Sequence, residues 1–147
     1  MMPTKQPARV WVRPIDDPAL ACAAEVLDPH EARRLSEFRD ATERRRRRAA
    51  WTLRRLALSA GDSSVSPAAW RFAYAASGKP VIAAPTNAGS CQPHRHHSLA
   101  HAGRFAAVFT APYPCGVDVE RVTDPIRGAD KVLRPDESAD LDTVSVP

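Results

Sequence analysis

Asp118 and Glu120, in the run Gly116-Val117-Asp118-Val119-Glu120, are the side chains here best suited to hold a cation. In an extended strand alternate residues share a face, so the two carboxylates project together while Val117 and Val119 turn the other way, into a core. Two like charges at that spacing repel unless a cation lies between them. Oxygen donors of this kind suit a hard divalent ion such as Mg²⁺, which completes its shell with water and phosphate oxygens. The competing reading is an edge strand carrying two solvated acids. Lys79, in Ser77-Gly78-Lys79-Pro80, sits on a tight turn, from which a mobile ammonium can meet a phosphate as a point charge. The spaced glycines and trailing hydroxyl of a Walker loop are absent. His94-Arg95-His96-His97 and His101, with Cys91, offer a zinc alternative, although the spacing matches no strong zinc signature. His101, just before Gly103, could instead donate to a phosphate oxygen.

The charge pattern points the same way. The chain has 147 residues and a formal net charge of +4. Between Arg33 and Arg55 ten arginines stand against Glu37, Asp40 and Glu43, a local balance of +7 that leaves −3 for the remainder. One segment is cationic and the rest mildly acidic, which implies a phosphate-rich or acidic partner at one place. The five arginines Arg44 to Arg48 must point all round a helix, so only one or two can face a single site. Nucleic acid is disfavoured as the partner, because neither a recognised fold motif nor a series of stacking aromatics accompanies the charge.

These groups need a scaffold. A length of 147 residues, 44% hydrophobic and 26% charged, fits one globular domain able to bury a core. No apolar run approaches the ~20 residues of a membrane span, and Met1 to Arg9 lack a signal core. The three cysteines, Cys22, Cys91 and Cys115, read as reduced thiols, so a cytoplasmic location is expected. Val10-Trp11-Val12 predicts a strand closed by Pro14. Asp17-Pro18 predicts a helix to Val26, Asp28-Pro29 another over Glu31 to Phe38, and Asp40 a longer one to about Leu58 with Trp51, Leu53, Leu56 and Leu58 as its apolar face. Arg71 to Ala75 and Pro80 to Ala83 predict a hairpin about Ser77-Gly78. Pro85 to Arg95 reads as a loop. Phe105 to Thr110 and Gly116 to Glu120 predict a second hairpin, turned by Ala111-Pro112-Tyr113-Pro114. Ile126 to Leu133 reads as a helix and Pro135-Asp136-Glu137 as the start of another. The fold class expected is α+β, helices first and mostly antiparallel β-hairpins later.

An arginine-rich helix, then W-R-F-x-Y…G-K-P, then S-L-A-H-A-G, then G-V-D-V-E-R, in this order, resembles the 4′-phosphopantetheinyl transferase superfamily of the surfactin-synthetase-activating type. The resemblance runs from about Val10 to Leu141. It implies a transferase-like half-domain over residues 1–120 and the truncated start of a second half over 121–147. By the same resemblance Asp118 and Glu120 are the catalytic, magnesium-binding pair, and Lys79 contacts a phosphate of coenzyme A. His101 binds the 3′-phosphate, and Arg46 is the coenzyme-binding arginine, with Arg47 as the alternative register. Arg34 falls near a position the family fills with a basic residue. Where the family motif has Asn, Ser, His and Ser, this chain has Ser98, Ala100, His101 and Ala102. The later W-x-x-K-E segment, with a third carboxylate, is absent from the sequence.

The implied reaction moves the phosphopantetheine arm of coenzyme A onto a serine of an acyl or peptidyl carrier protein, with magnesium. Positioning and charge neutralisation would carry the catalysis. Such carriers serve fatty-acid, polyketide and non-ribosomal peptide synthesis. Self-association would let two halves pair. Two alternatives stand beside this reading: an inactive remnant that binds coenzyme A or carrier protein, and an unrelated basic interaction module. The strand geometry predicts that Asp118→Ala abolishes magnesium-dependent coenzyme binding while Glu43→Ala does not.

Overall fold

Aspartate and proline punctuate the first third of the chain, and each pair starts a helix. The computed structural model describes residues 7–85 and 96–122. After strand β1 (Arg9–Pro14), the Asp17 carboxylate accepts the Ala19 N–H at 2.9 Å and opens helix α1 (Pro18–Cys22). A short 3₁₀ turn follows at Ala24–Val26, so the helix expected to run unbroken to Val26 breaks at Ala23. Asp28 and Glu31 form a reciprocal capping box that starts helix α2 (Pro29–Glu37). Asp40 accepts the Glu43 N–H at 2.9 Å and starts helix α3 (Ala41–Gly61). That bond, with a second from the Thr42 backbone, holds the Asp40 carboxyl below the usual carboxylate range.

Strands β2 (Arg71–Tyr74) and β3 (Pro80–Ala84) pair antiparallel as the expected hairpin, and Gly78 takes the positive φ of +81° that its turn requires. Strands β4 (His96–Ala102) and β5 (Phe105–Ala111) form a second antiparallel hairpin, turned by Gly103 at φ +55°. β1 returns to the far edge of β5, giving a three-stranded sheet in the order β1-β5-β4. The described fold is therefore mixed helix and antiparallel sheet, as the α+β expectation holds.

The core lies between α3 and this sheet. Trp11, Val108 and Leu99 are directly opposed across the three strands, so they share the face turned to the helix. Against them α3 sets Ala49, Ala50, Leu53 and Ala57, joined by Leu20 of α1. The small alanines let helix and sheet approach closely, and truncating Leu53 to alanine would cost roughly 2–5 kcal/mol. A second cluster of Leu58, Val65 and Trp70, with Phe72 and Ile82 beside it, fastens the β2–β3 hairpin to the far end of α3. Of the apolar face expected for this helix, Trp51, Leu53 and Leu58 are buried and Leu56 half-buried.

The second hairpin departs from expectation. It turns at Gly103, and the segment Gly116–Glu120 pairs with no strand among the described residues. Pro112 and Pro114 cannot donate to a ladder at their own positions, and the Val117 N–H donates to the Ser98 hydroxyl, not to a strand carbonyl. β4 was hidden in sequence by His96, His97, Ser98 and His101, which mask its alternation. The expected loop at 86–95, with Cys91, His94 and Arg95, the helix over Ile126 to Leu133 and the start at Pro135 lie outside the described residues.

Candidate functional site

The motif segments meet on one side of the molecule. Residues 115–120 belong to neither helix nor strand, and two groups from other elements hold them. The Val117 N–H donates to Ser98 Oγ on β4 at 3.1 Å. Lys79 Nζ, from the β2–β3 turn, donates to the Cys115 carbonyl at 2.6 Å, leaving two further ammonium donors. Exposure then alternates as the sequence predicts: Asp118 and Glu120 are exposed, Val117 and Val119 half-buried. Asp118 Oδ1 accepts the Val119 N–H at 2.9 Å. Burial pushes the Cys115 thiol up, against the opposing pull of the Lys79 charge.

The arginine-rich helix contributes differently at each position. Arg46 Nε donates to the Gly103 carbonyl at 2.9 Å, tying α3 to the β4–β5 turn. Arg46 and Glu120 both border a cavity of about 590 Å³ that Arg45, Arg104 and Arg121 also line. Arg47 points into a separate cavity of about 390 Å³, which is also lined by Arg34, Arg54 and Lys79, with no carboxylate among its lining residues. Arg34 stacks 5.6 Å from the Trp51 ring centroid and 4.9 Å from that of Tyr74, whose hydroxyl accepts from its guanidinium. This second cavity is cationic with aromatic walls, a chemistry suited to a phosphate attached to a planar ring.

His101 lines neither cavity and turns instead to Glu43. Its Nε2 is 3.9 Å from Glu43 Oε1, and Glu43 also pairs with Arg47 Nε at 2.8 Å and Arg46 Nη1 at 4.0 Å. Burial lowers the His101 pKa, Glu43 opposes the shift, and Arg47 and Arg46 add to it. At neutral pH the ring is therefore neutral and meets an anion through a single N–H. The five residues named from sequence are thus divided. Arg46 and Glu120 share one cavity, Lys79 lines the other, and His101 and Asp118 line neither. Glu43, expected to stand apart as a neutral control, lies among the candidate phosphate ligands.

Sequence reasoning missed three things. Ser98, noted only as a departure from a motif, anchors the acid-bearing segment. Glu43 looked like one more charge on a solvated helix face. Arg54 and Arg55 are fully buried, at 1% and 0% exposure. Arg54 Nη2 donates to Glu31 Oε1 at 2.7 Å, and Arg55 bonds Glu31 Oε2, Asp28 Oδ2 and the Pro67 and Trp70 carbonyls. The capping box at Asp28 and Glu31 was the available signal, since both its acids face α3. His97 on β4 is buried beside Phe72, and its pKa is pushed down to about 3 by burial and by the Arg54 and Lys79 charges.

No family model and no curated protein sequence matches the chain. Among the described residues no helix is long and apolar enough to cross a membrane, and no three or more His, Cys, Asp or Glu side chains are gathered so as to hold a metal ion.

Proposed function

We propose that the chain is the coenzyme-A-binding half of a 4′-phosphopantetheinyl transferase and acts on an acyl or peptidyl carrier protein. The observation that carries this reading is convergence. Segments around Arg46, Lys79, Ser98 to His101 and Asp118 to Glu120 are far apart in sequence, yet Lys79 bonds Cys115, Ser98 bonds Val117 and Arg46 bonds Gly103. A cationic helix and an acidic segment thereby flank the same hairpin. That arrangement suits a ligand with phosphates at one end and a metal-bridged pyrophosphate at the other.

The donor chemistry suits magnesium. Asp118 and Glu120 are two exposed carboxylates on one segment, and Asp118 Oδ2 makes no protein hydrogen bond among the described residues. Two such ligands fit an ion that keeps several waters. Asp118 and Glu120 would hold it, and when bound it would neutralise charge on the pyrophosphate. Lys79, Arg34 and Arg47 would hold the nucleotide end by charge, and His101 by its N–H. In the transfer itself a carrier serine Oγ gives up its proton to water and bonds to the β-phosphorus. The bond from that phosphorus to the bridging oxygen breaks, and adenosine 3′,5′-bisphosphate leaves.

A second reading is coenzyme binding without transfer. It is favoured by the cavity of Arg34, Arg47 and Lys79, whose cations and aromatic walls gather apart from Asp118 and Glu120. One assay separates the two. Purified full chain is incubated with coenzyme A, Mg²⁺ and an apo carrier protein, and the carrier is weighed by mass spectrometry. A gain of one phosphopantetheinyl group supports transfer. Coenzyme binding with no gain supports the second reading, and no binding at all sinks both.

A further inference from the structure

The groups that the family resemblance assigns to coenzyme phosphate, two arginines and a neutral histidine, already meet an anion. Arg46 and Arg47 come from α3 and His101 from β4, yet all three turn to the Glu43 carboxylate, at 4.0, 2.8 and 3.9 Å. Glu43 occupies the first turn of α3, where the helix dipole also favours a negative charge. Its side chain is 29% exposed, so solutes reach it and it can swing outward. An anion that engages Arg46, Arg47 and His101 together must take the place of this carboxylate.

We infer that Glu43 is a tethered competitor for the phosphate position, one that sets ligand affinity and favours doubly charged phosphomonoesters over singly charged anions. This rests on the coenzyme reading above. The physical basis is charge balance. A singly charged ligand would exchange one carboxylate-like anion for another and gain no Coulomb energy to offset the freedom it loses on binding. A phosphomonoester brings nearly two charges and three acceptor oxygens, and so outcompetes the carboxylate. An ordinary i,i+4 pair would explain Glu43 and Arg47 but not the approach of His101 from a different element.

The test uses the full chain and Glu43→Gln at about neutral pH. Isothermal titration calorimetry is run with adenosine 3′,5′-bisphosphate, and with adenosine as the uncharged control. Removing one like charge from the ligand's side, discounted for partial exposure, should tighten bisphosphate binding about tenfold and leave adenosine unchanged. An unchanged or weaker affinity for the bisphosphate, or an equal gain for adenosine, overturns the inference. Should the variant fold poorly, carbon NMR of the wild-type chain reads the same event, because the Glu43 carboxyl resonance must move when the bisphosphate saturates. A resonance that stays in place under saturation also overturns it. If the wild-type chain binds and Glu43→Gln gains nothing, this inference alone fails. If neither chain binds the bisphosphate, the coenzyme reading fails with it.

Discussion

Arg55 and Glu31 meet in the interior, Nη2 to Oε2 at 2.7 Å, with the arginine wholly buried. The same Glu31 oxygen accepts the Asp28 N–H at 3.1 Å, so one carboxylate caps α2 and clamps it to α3. Arg54 adds its bond to the other oxygen and lies 3.7 Å from the Phe72 ring centroid, which carries the clamp to the β2–β3 hairpin. Removing Glu31 would leave the buried Arg54 guanidinium with no carboxylate and Arg55 with Asp28 alone. Glu31→Ala is expected to lose about 3–5 kcal/mol in urea unfolding, while the exposed Glu37→Ala stays within about 0.5 kcal/mol. Similar losses for the two would mean that the buried arginines find other partners.

His97 makes stability depend on acid. Its folded pKa of about 3 lies below the ordinary value of 6.5, so the unfolded chain binds the proton more readily. The contribution of the neutral ring is complete above the unfolded pKa and drains away as pH falls from 6.5 toward 3. His97→Phe, which keeps a ring beside Phe72, should flatten this part of the stability-against-pH curve. The difference from wild type should be on the order of a few kcal/mol across the window. Parallel curves for the two proteins would refute the assignment.

Ser98 is expected to steady the acidic segment. Ser98→Ala removes the acceptor of the Val117 N–H, and a net loss of about 1 kcal/mol predicts roughly fivefold faster hydrogen exchange at that amide. Exchange at the Leu99 amide, inside the β4–β5 ladder, should not change. An unaltered Val117 rate would show that the bond contributes nothing to holding the segment.

Asp118→Ala should remove the dependence of coenzyme affinity on Mg²⁺, because one of two carboxylate ligands is lost. Calorimetry with and without the metal reads this directly. A variant that still binds coenzyme more tightly with magnesium would place the cation elsewhere.

Salt should weaken coenzyme binding. The cationic groups lining the cavity of Arg34, Arg47 and Lys79 act partly through solvent, and exposed charges are screened beyond ~8 Å at physiological ionic strength. An affinity that holds from low to high salt would rule out this cationic wall as the docking surface.

Most of the scaffold could be read from local signals. Asp-Pro pairs at 17–18 and 28–29 and the Asp40 cap mark helix starts that the structure has, and Ser77-Gly78 marks the first hairpin turn. Local signals failed where partners are distant. β4 carries polar side chains that are satisfied or buried only once it lies between β5 and α3, so its alternation was invisible beforehand. Buried arginines are equally unreadable, since nothing in the run Leu53-Arg54-Arg55-Leu56 says that two acids of α2 wait opposite. Within the site, residue types were legible and their company was not. The Asp118 and Glu120 alternation survives without a strand, whereas Glu43 acquires its neighbours only through the packing of β4 on α3.

The first described strand is hydrogen-bonded to the last, with Arg9 opposite Thr110. A ribosome releasing this chain therefore emits an orphan strand that must wait while about a hundred more residues are made. The hairpin of β4 and β5 closes locally, and among the described strands it offers the ladder that β1 joins. Assembly must then run backwards along the sequence, and a message cut short before Phe105 would leave β1 without the strand it pairs with.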